Sequence, residues 1–367
     1  MIKKICHITT VHPRNDVRIF HKECNSLAKH YDVSLIVADG LGNDTINNVN
    51  IIDIGLRQSS RIKRAKIDSK KALKKAIELN CEVYHFHDPE LMSIGRKLLQ
   101  LNKKVIYDVH EDIPRQILGK PYINKYLRPI LSKIIEYKEN TNAKKYSAIL
   151  TSTPFIRERF LKINKNTIDI NNFPIITDFK SVDFTNKKLQ LCYVGGLSEN
   201  RGTLSLVKSM ENVDSKLILA GNFENPELLE KCKQEKSWNK IDFKGYVNRE
   251  EISKILSESI IGMVNLKPLI NYIDALPVKM FEYMSAGIPV IASDFPLWKE
   301  IVESNNCGIC IDPNKELEIA EAINKLLKDT VKAEEMGKNG QKAVRERYNW
   351  NIEEEKLFKV YKSLLND

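Results

Sequence analysis

The sequence predicts an α/β protein built from two Rossmann-like domains, and three observations carry that prediction. Short apolar, β-branched runs alternate with longer amphipathic ones, the pattern of a parallel sheet covered by helices. Two such series follow each other, joined near residues 172–188 within the turn-rich stretch NNFPIITDFKSVDFTNKK. A length of 367 residues exceeds what one ordinary core organises.

In the first series the candidate strands are residues 3–9, 32–38, 83–87, 104–109 and 148–153, each a compact apolar run. Helical segments lie between them, for example 17–30 and 126–145. In the latter, Leu127, Ile130, Leu131, Ile134 and Ile135 share one face at three-to-four spacing. The second series offers strands at 189–196, 215–221, 240–247, 260–266 and 288–294. The boundaries read as 1–172 and 173–350, with a last helix from about 351 that would pack back on the first domain. In open sheets of this kind ligands bind beyond the carboxyl ends of the strands, so the chemistry is expected in a cleft between two facing domains.

Composition removes several classes. With 42% apolar and 29% charged residues the chain is globular. No run reaches the roughly 18 to 20 apolar residues of a membrane span. The opening MIKKICHITT has the lysines of a secretion signal without its apolar stretch, which points to the cytoplasm. Seven cysteines, an odd number, argue against a disulfide framework. Cys307 and Cys310 form a C-x-x-C, but no second pair or nearby histidine completes a zinc site, and CGICID reads as a short strand.

A net charge of +10 favours anionic partners: nucleotides, phosphorylated lipids or an anionic membrane surface. Residues 61–75, RIKRAKIDSKKALKK, concentrate eight basic residues against Asp68. That run is either a solvated helix face or a contact for lipid headgroups. Nucleic acid is disfavoured because aromatic residues that would stack on bases are missing there.

The segment NYIDALPVKMFEYMSAGIPVIASD at 271–294 holds the best site candidates. Asp274 stands just before an expected helix that contains Glu282 and ends at the Gly287-Ile288-Pro289 breaker. An aspartate there can cap free N–H groups, and the helix start suits a diphosphate. Glu282, two turns on, could accept hydrogen bonds from ribose hydroxyls. A plain capped helix with a surface glutamate is the competing reading.

This segment resembles the acid-x7-acid motif of retaining glycosyltransferases of family 4, which have the GT-B fold of two Rossmann-like domains facing across a cleft. The resemblance implies that Asp274 contacts the donor sugar and Glu282 the ribose, although the first acid is usually glutamate. CYVGGLSENRGTLSLVKSM at 192–210 is similar to the family's G-R-L-x-x-x-K-G segment, whose two basic residues hold the donor diphosphate. Arg201 takes the lysine position, while Gly196 stands where arginine is usual. Lys279, inside the acid motif, is the candidate for the missing charge. DFKGYVNREE at 242–251 resembles the strand end against which the base lies, so Tyr246 and Val247 are assigned to it, and Leu276 joins the donor contacts.

In the first half, VYHFHDPEL and KVIYDVHEDIP each place a histidine at the end of an expected strand. By resemblance His110 faces the transfer site, with His87 second; Asp88, Asp108 and Glu111 could orient the rings. The loop TVHPRNDVRIFHKE is similar to the opening of polysaccharide-assembly members, which makes Arg14, Asn15, Asp16 and Arg18 donor or acceptor contacts.

The resemblance therefore implies a nucleotide-sugar-binding second domain and an acceptor-side first domain. It implies transfer with retention to a lipid-linked, undecaprenyl-diphosphate-type saccharide in O-antigen or capsule assembly, at the inner face of the membrane. No D-x-D-like metal cradle is evident, so no metal cofactor is expected, and charge on the leaving group would fall to Arg201, Lys279 and the helix start. An epimerase of the same fold and a non-catalytic nucleotide-sugar-binding protein are the alternatives. A dehydrogenase is disfavoured, since no G-x-G-x-x-G follows the first strand.

Overall fold

The computed structural model of the chain describes residues 2–120, 122–179 and 183–366. Residues 180–182 of the expected junction lie outside them. The chain divides into two compact units, residues 1–172 with 351–367, and residues 173–350.

In the first unit β1 (Lys4–Ile8), β2 (Asp32–Val37), β5 (Val83–Phe86), β6 (Lys104–Val109) and β7 (Ala148–Thr151) form the buried centre of the sheet. Covered on both faces, these strands read as continuous apolar runs, which is why sequence finds them. The short β3 (Asp44–Ile46), β4 (Val49–Asp53) and β8 (Thr167–Asp169) complete it, and were not anticipated. Among the described residues the sheet has eight strands in the order β3-β4-β2-β1-β5-β6-β7-β8, and only the β3–β4 pair is antiparallel. Asn47 and Asn48 take positive φ of 52° and 62° between β3 and β4, as a two-residue hairpin of this twist requires.

The expected helix at 17–30 begins as a π-helix, Val17–Cys24, capped by Asp16, and runs on through Asn25–Leu27. Its buried residues include charged ones, Arg18, Lys22 and Glu23, beside the apolar Ile19, Phe20 and Cys24. The expected helix at 126–145 is Arg128–Ala143, and here the apolar stripe is turned out, with Leu127, Ile130 and Ile134 exposed. The helix Trp350–Leu365 buries Leu357, Val360 and Tyr361, and its Glu353 accepts from the Asn171 N–H at 2.8 Å.

In the second unit β9 (Gln190–Val194), β10 (Lys216–Ala220), β11 (Ile241–Gly245), β12 (Ile261–Val264), β13 (Val290–Ser293) and β14 (Gly308–Ile311) form a parallel sheet in the order β11-β10-β9-β12-β13-β14. Alternate residues feed two cores: Cys192, Val194, Ile218 and Val264 join Trp298 and Tyr283, while Leu191, Tyr193, Leu217 and Met263 join Leu206 and Ile323. Cys307 and Cys310 flank and enter β14, and all seven cysteines are free thiols.

Candidate functional site

The order of the second sheet reverses at β9, which has β10 on one side and β12 on the other. A doubly wound sheet opens its crevice at the carboxyl end of such a pair. There β9 runs into Gly195 and Gly196, a short 3₁₀ turn Glu199–Arg201 follows, and Gly202 starts the helix Thr203–Ser209. Gly202 has φ +71°, and a Cβ on it would lie 2.1 Å from the Asn265 carbonyl at the end of β12. Asn265 Nδ2 donates back to the Gly202 carbonyl at 2.9 Å. Gly202→Ala is therefore expected to cost about 1–3 kcal/mol, read as a lower denaturation midpoint; unchanged stability would show that the turn relaxes freely.

Two cations converge on the glycine turn. The Arg201 guanidinium stands 3.2 Å from where a Cβ of Gly196 would be, and Lys279 Nζ 3.1 Å from that of Gly195. Lys279 extends from the first turn of the helix Val278–Ser285, and its ammonium lies 3.5 Å from the centre of the Tyr193 ring. The stem is partly exposed, but Nζ is buried and has no hydrogen-bond partner among the described residues. Burial pushes its pKa well down, and nearby Arg201 pushes it the same way; Glu282, three residues along the helix, acts against both. Glycine at 196 thus leaves room for Arg201, and Lys279 brings a second charge to the same turn.

Pro277 occupies the cap position of this helix and makes no side-chain cap bond, and Asp274 lies in the turn before it. The turn is held where Trp298 Nε1 donates to the Ala275 carbonyl at 2.6 Å. Asp274 and Glu282 are both half-buried. Leu276 packs on the core, as does Val247, whereas Tyr246 is exposed at the end of β11. A pocket of about 370 Å³ lined by Lys188, Asp242, Lys244 and Glu258 contains none of these residues.

In the first unit the order reverses between β1 and β5. Arg18 donates from Nε and NH2 to the two oxygens of Asp108, at 2.9 and 2.7 Å. Burial would raise the Asp108 pKa, but Arg18 and His110 hold it well down, so it is a carboxylate. Asp108 faces His110 Nε2 at 2.7 Å and His87 Nδ1 at 3.1 Å. From His87 the contacts continue inward to His7 at 3.0 Å, then to the Tyr361 hydroxyl at 3.1 Å and His85 at 2.9 Å. Burial lowers the pKa of His7, His85 and His87, the last to about 3, so these rings are neutral.

His110, with a side chain 19% exposed, is the member of this network that meets solvent. His87 is buried with both ring nitrogens engaged, so it reaches a ligand only through Asp108 and His110, unlike the cleft-facing residue expected from sequence. Asp88 accepts from the Thr10 N–H at 2.5 Å and from the Thr9 hydroxyl at 3.1 Å, which fixes the first loop. Glu111 is exposed and accepts from Gln116. Arg14, expected at the donor, is clamped bidentately to Asp39 at 2.7 and 2.8 Å. Asp16 caps the π-helix, and Asn15 is exposed.

His12 was not singled out from sequence. Its ring centre lies 5.2 Å from that of His110, and Nδ1 is 3.2 Å from Asp16. Burial opposes its charge, but the Asp16 bond and the nearby Asp88 outweigh it and raise the pKa. Donor atoms of His7, Glu23, His85 and His87, and of His87, Asp108 and His110, lie within 4.8 Å of one another, a spacing a metal could use. In the first group Arg18 Nε stands 3.1 Å from Glu23 and already supplies positive charge.

Residues 175–343 match the family described as "Glycosyl transferases group 1". An uncharacterized glycosyltransferase of Methanocaldococcus jannaschii is 25% identical over 188 residues, which cover 50% of this chain and 47% of that protein. The chain thus spans about half the length of that curated relative. Sucrose-phosphate synthase from Thermosynechococcus elongatus superposes with a TM-score of 0.80 at 17% identity, over 99% of both chains. The Anabaena protein HepE in complex with UDP-glucose gives 0.75 at 15% identity, over 98% of this chain and 99% of that one. At such identities the likeness is one of fold: the protein has the two-domain α/β GT-B fold, and the match to the glycosyl transferases group 1 family falls within its second unit.

Proposed function

We propose that this chain, with a glycosyltransferase group 1 domain on a GT-B fold, moves a sugar from a nucleoside diphosphate sugar to a hydroxyl of a lipid-linked saccharide, with retention at the anomeric carbon. The observation that carries the reading is the buried, unpartnered ammonium of Lys279 beside Arg201 at the glycine turn. Two converging cations with no acid bonded to the ammonium suit a dianionic ligand such as a diphosphate. The UDP-glucose complex of HepE supports the same class of donor.

On this reading Arg201, Lys279 and the start of the helix Val278–Ser285 stabilise charge as the bond from the anomeric carbon to the phosphate oxygen breaks. The acceptor oxygen bonds to the same face of that carbon, and its proton passes to the departing phosphate. Glu282 holds the ribose and Asp274 the donor sugar, while Tyr246, Val247 and Leu276 border the base and sugar. His110, oriented by Asp108, serves the acceptor side, with His87 and Asp88 buried behind it and Glu111 exposed next to it in sequence. No resident metal is needed, and the enzyme works at the inner membrane face on an undecaprenyl-diphosphate-type acceptor in O-antigen or capsule assembly.

The test is a panel of sugar nucleotides screened by thermal shift, with each stabilising donor then incubated with membrane-extracted lipids in the presence and absence of a chelator. One donor should stabilise the protein and release nucleoside diphosphate only when lipid is added. A new sugar nucleotide formed from donor alone would mean epimerisation instead, and no stabilisation by any donor would remove the diphosphate site. Glu282→Ala should lower turnover at least about tenfold with the fold intact; full activity in a folded variant would dismiss the ribose contact.

A further inference from the structure

The helix Arg128–Ala143 is built inside out. The side facing the core carries Ser132 and Glu139, both buried and both satisfied. Ser132 donates to the Pro114 carbonyl at 2.7 Å, and Glu139 accepts from the Tyr107 hydroxyl at 2.9 Å and pairs with Arg159. The opposite side and the turn before it carry Tyr126, Leu127, Ile130, Ile134 and Tyr137, exposed by 75, 56, 58, 48 and 74%. From Leu127 to Tyr137 the steps are three, four and three residues, so these side chains form one continuous stripe. A water-soluble surface rarely keeps such a patch unless something covers it.

The charges around the stripe indicate what does. Lys133 and Lys138 fall on its two flanks, and Lys120 and Lys125 precede it; none of the four makes an ion pair among the described residues. Lys125 Nζ lies 5.0 Å above the Tyr126 ring. Glu136, on the same helix, is paired with Arg159 at 3.6 Å. An apolar band with tyrosines, bordered by lysines long enough to reach outward, matches the acyl–headgroup boundary of an anionic bilayer.

We propose that the stripe from Tyr126 to Tyr137 is a docking face for an anionic lipid surface. It deepens the lipid-linked acceptor reading by naming where the protein meets the membrane. It is tested without donor or acceptor, so that the two can fail separately. The full chain is sedimented with vesicles of phosphatidylcholine alone or with an equal part of phosphatidylglycerol. Binding should be at least about tenfold tighter to the anionic vesicles. Leu127→Ser combined with Ile130→Ser and Ile134→Ser should lose about tenfold or more, with an unchanged melting curve. Lys133→Glu with Lys138→Glu should remove the preference for anionic vesicles. Equal binding by the serine variant and wild type would overturn the proposal, as would failure of the wild type to bind vesicles. A wild-type dimer that the serine variant makes monomeric would also overturn it, giving the face to a second copy of the chain.

Discussion

Replacing Lys279 with methionine is expected to make the protein more heat-stable and far less active. The ammonium of Lys279 is buried without a hydrogen-bond partner and sits close to Arg201, so the folded apoprotein disfavours its charge. Methionine fills a similar volume without a charge to desolvate, and the gain should be on the order of 1–3 kcal/mol. Loss of one preorganised cation at a diphosphate should lower activity by about a hundredfold or more. The sign of the pH effect follows from the direction of the shift. With the folded pKa depressed, the unfolded chain binds the extra proton between that value and the ordinary lysine range. Wild-type stability then rises with pH across that window, and the methionine variant lacks this rise. Melting curves with and without added nucleoside diphosphate check both halves. A variant that is less stable, or one that keeps full activity, would mean that Lys279 is a packing residue.

What the sequence disclosed depended on how locally each feature was encoded. Buried central strands such as β6 and β13 announce themselves, because a strand covered on both faces must be apolar along its length. The strands β3 and β8 lie at the sheet edges with three residues each, β4 comes next to β3 with five, and nothing in TID at 167–169 distinguishes it from a loop. In the helix Arg128–Ala143 the apolar period was legible but the direction it faces was not. Its buried side is satisfied by Tyr107 and Arg159, which come from other elements.

The same division runs through the site. The spacing of Asp274, Lys279 and Glu282 is written in one segment, and so is the glycine turn before Arg201. The meeting of Lys279 with that turn needs β9 and the helix Val278–Ser285 side by side, a contact between residues far apart in sequence. Arg14 and Arg18 were visible as basic loop residues, but their partners Asp39 and Asp108 are 25 and 90 positions away. The histidine network did leave one trace. His85 in β5 and His87 just past its end are two apart and so fall on one face in extended backbone, and His7 lies opposite His85 on the paired strand. Two or more polar rings aimed into a sheet face need partners there, which points to a buried cluster.

That cluster should make the protein acid-sensitive well above the range in which carboxylates protonate. His7, His85 and His87 are neutral in the folded protein, and burial keeps the His87 pKa at about 3. In the unfolded chain each would titrate near 6.5. Between about pH 6 and 5 the unfolded state therefore binds up to about three more protons than the folded state at these positions, and stability must fall as pH falls. Glu23 works the other way, because burial first and Asp108 next push its carboxyl up and keep it protonated when folded. About two protons net remain, or on the order of 2–3 kcal/mol per pH unit. Melting temperatures at pH 7, 6 and 5 should then drop, by roughly 5–10 °C over the last unit. His87→Gln should flatten that slope by about one proton. A protein equally stable at pH 6 and 5 would show that the folded cluster takes up protons as easily as the open chain, with Asp108 as the carboxylate that makes room for them.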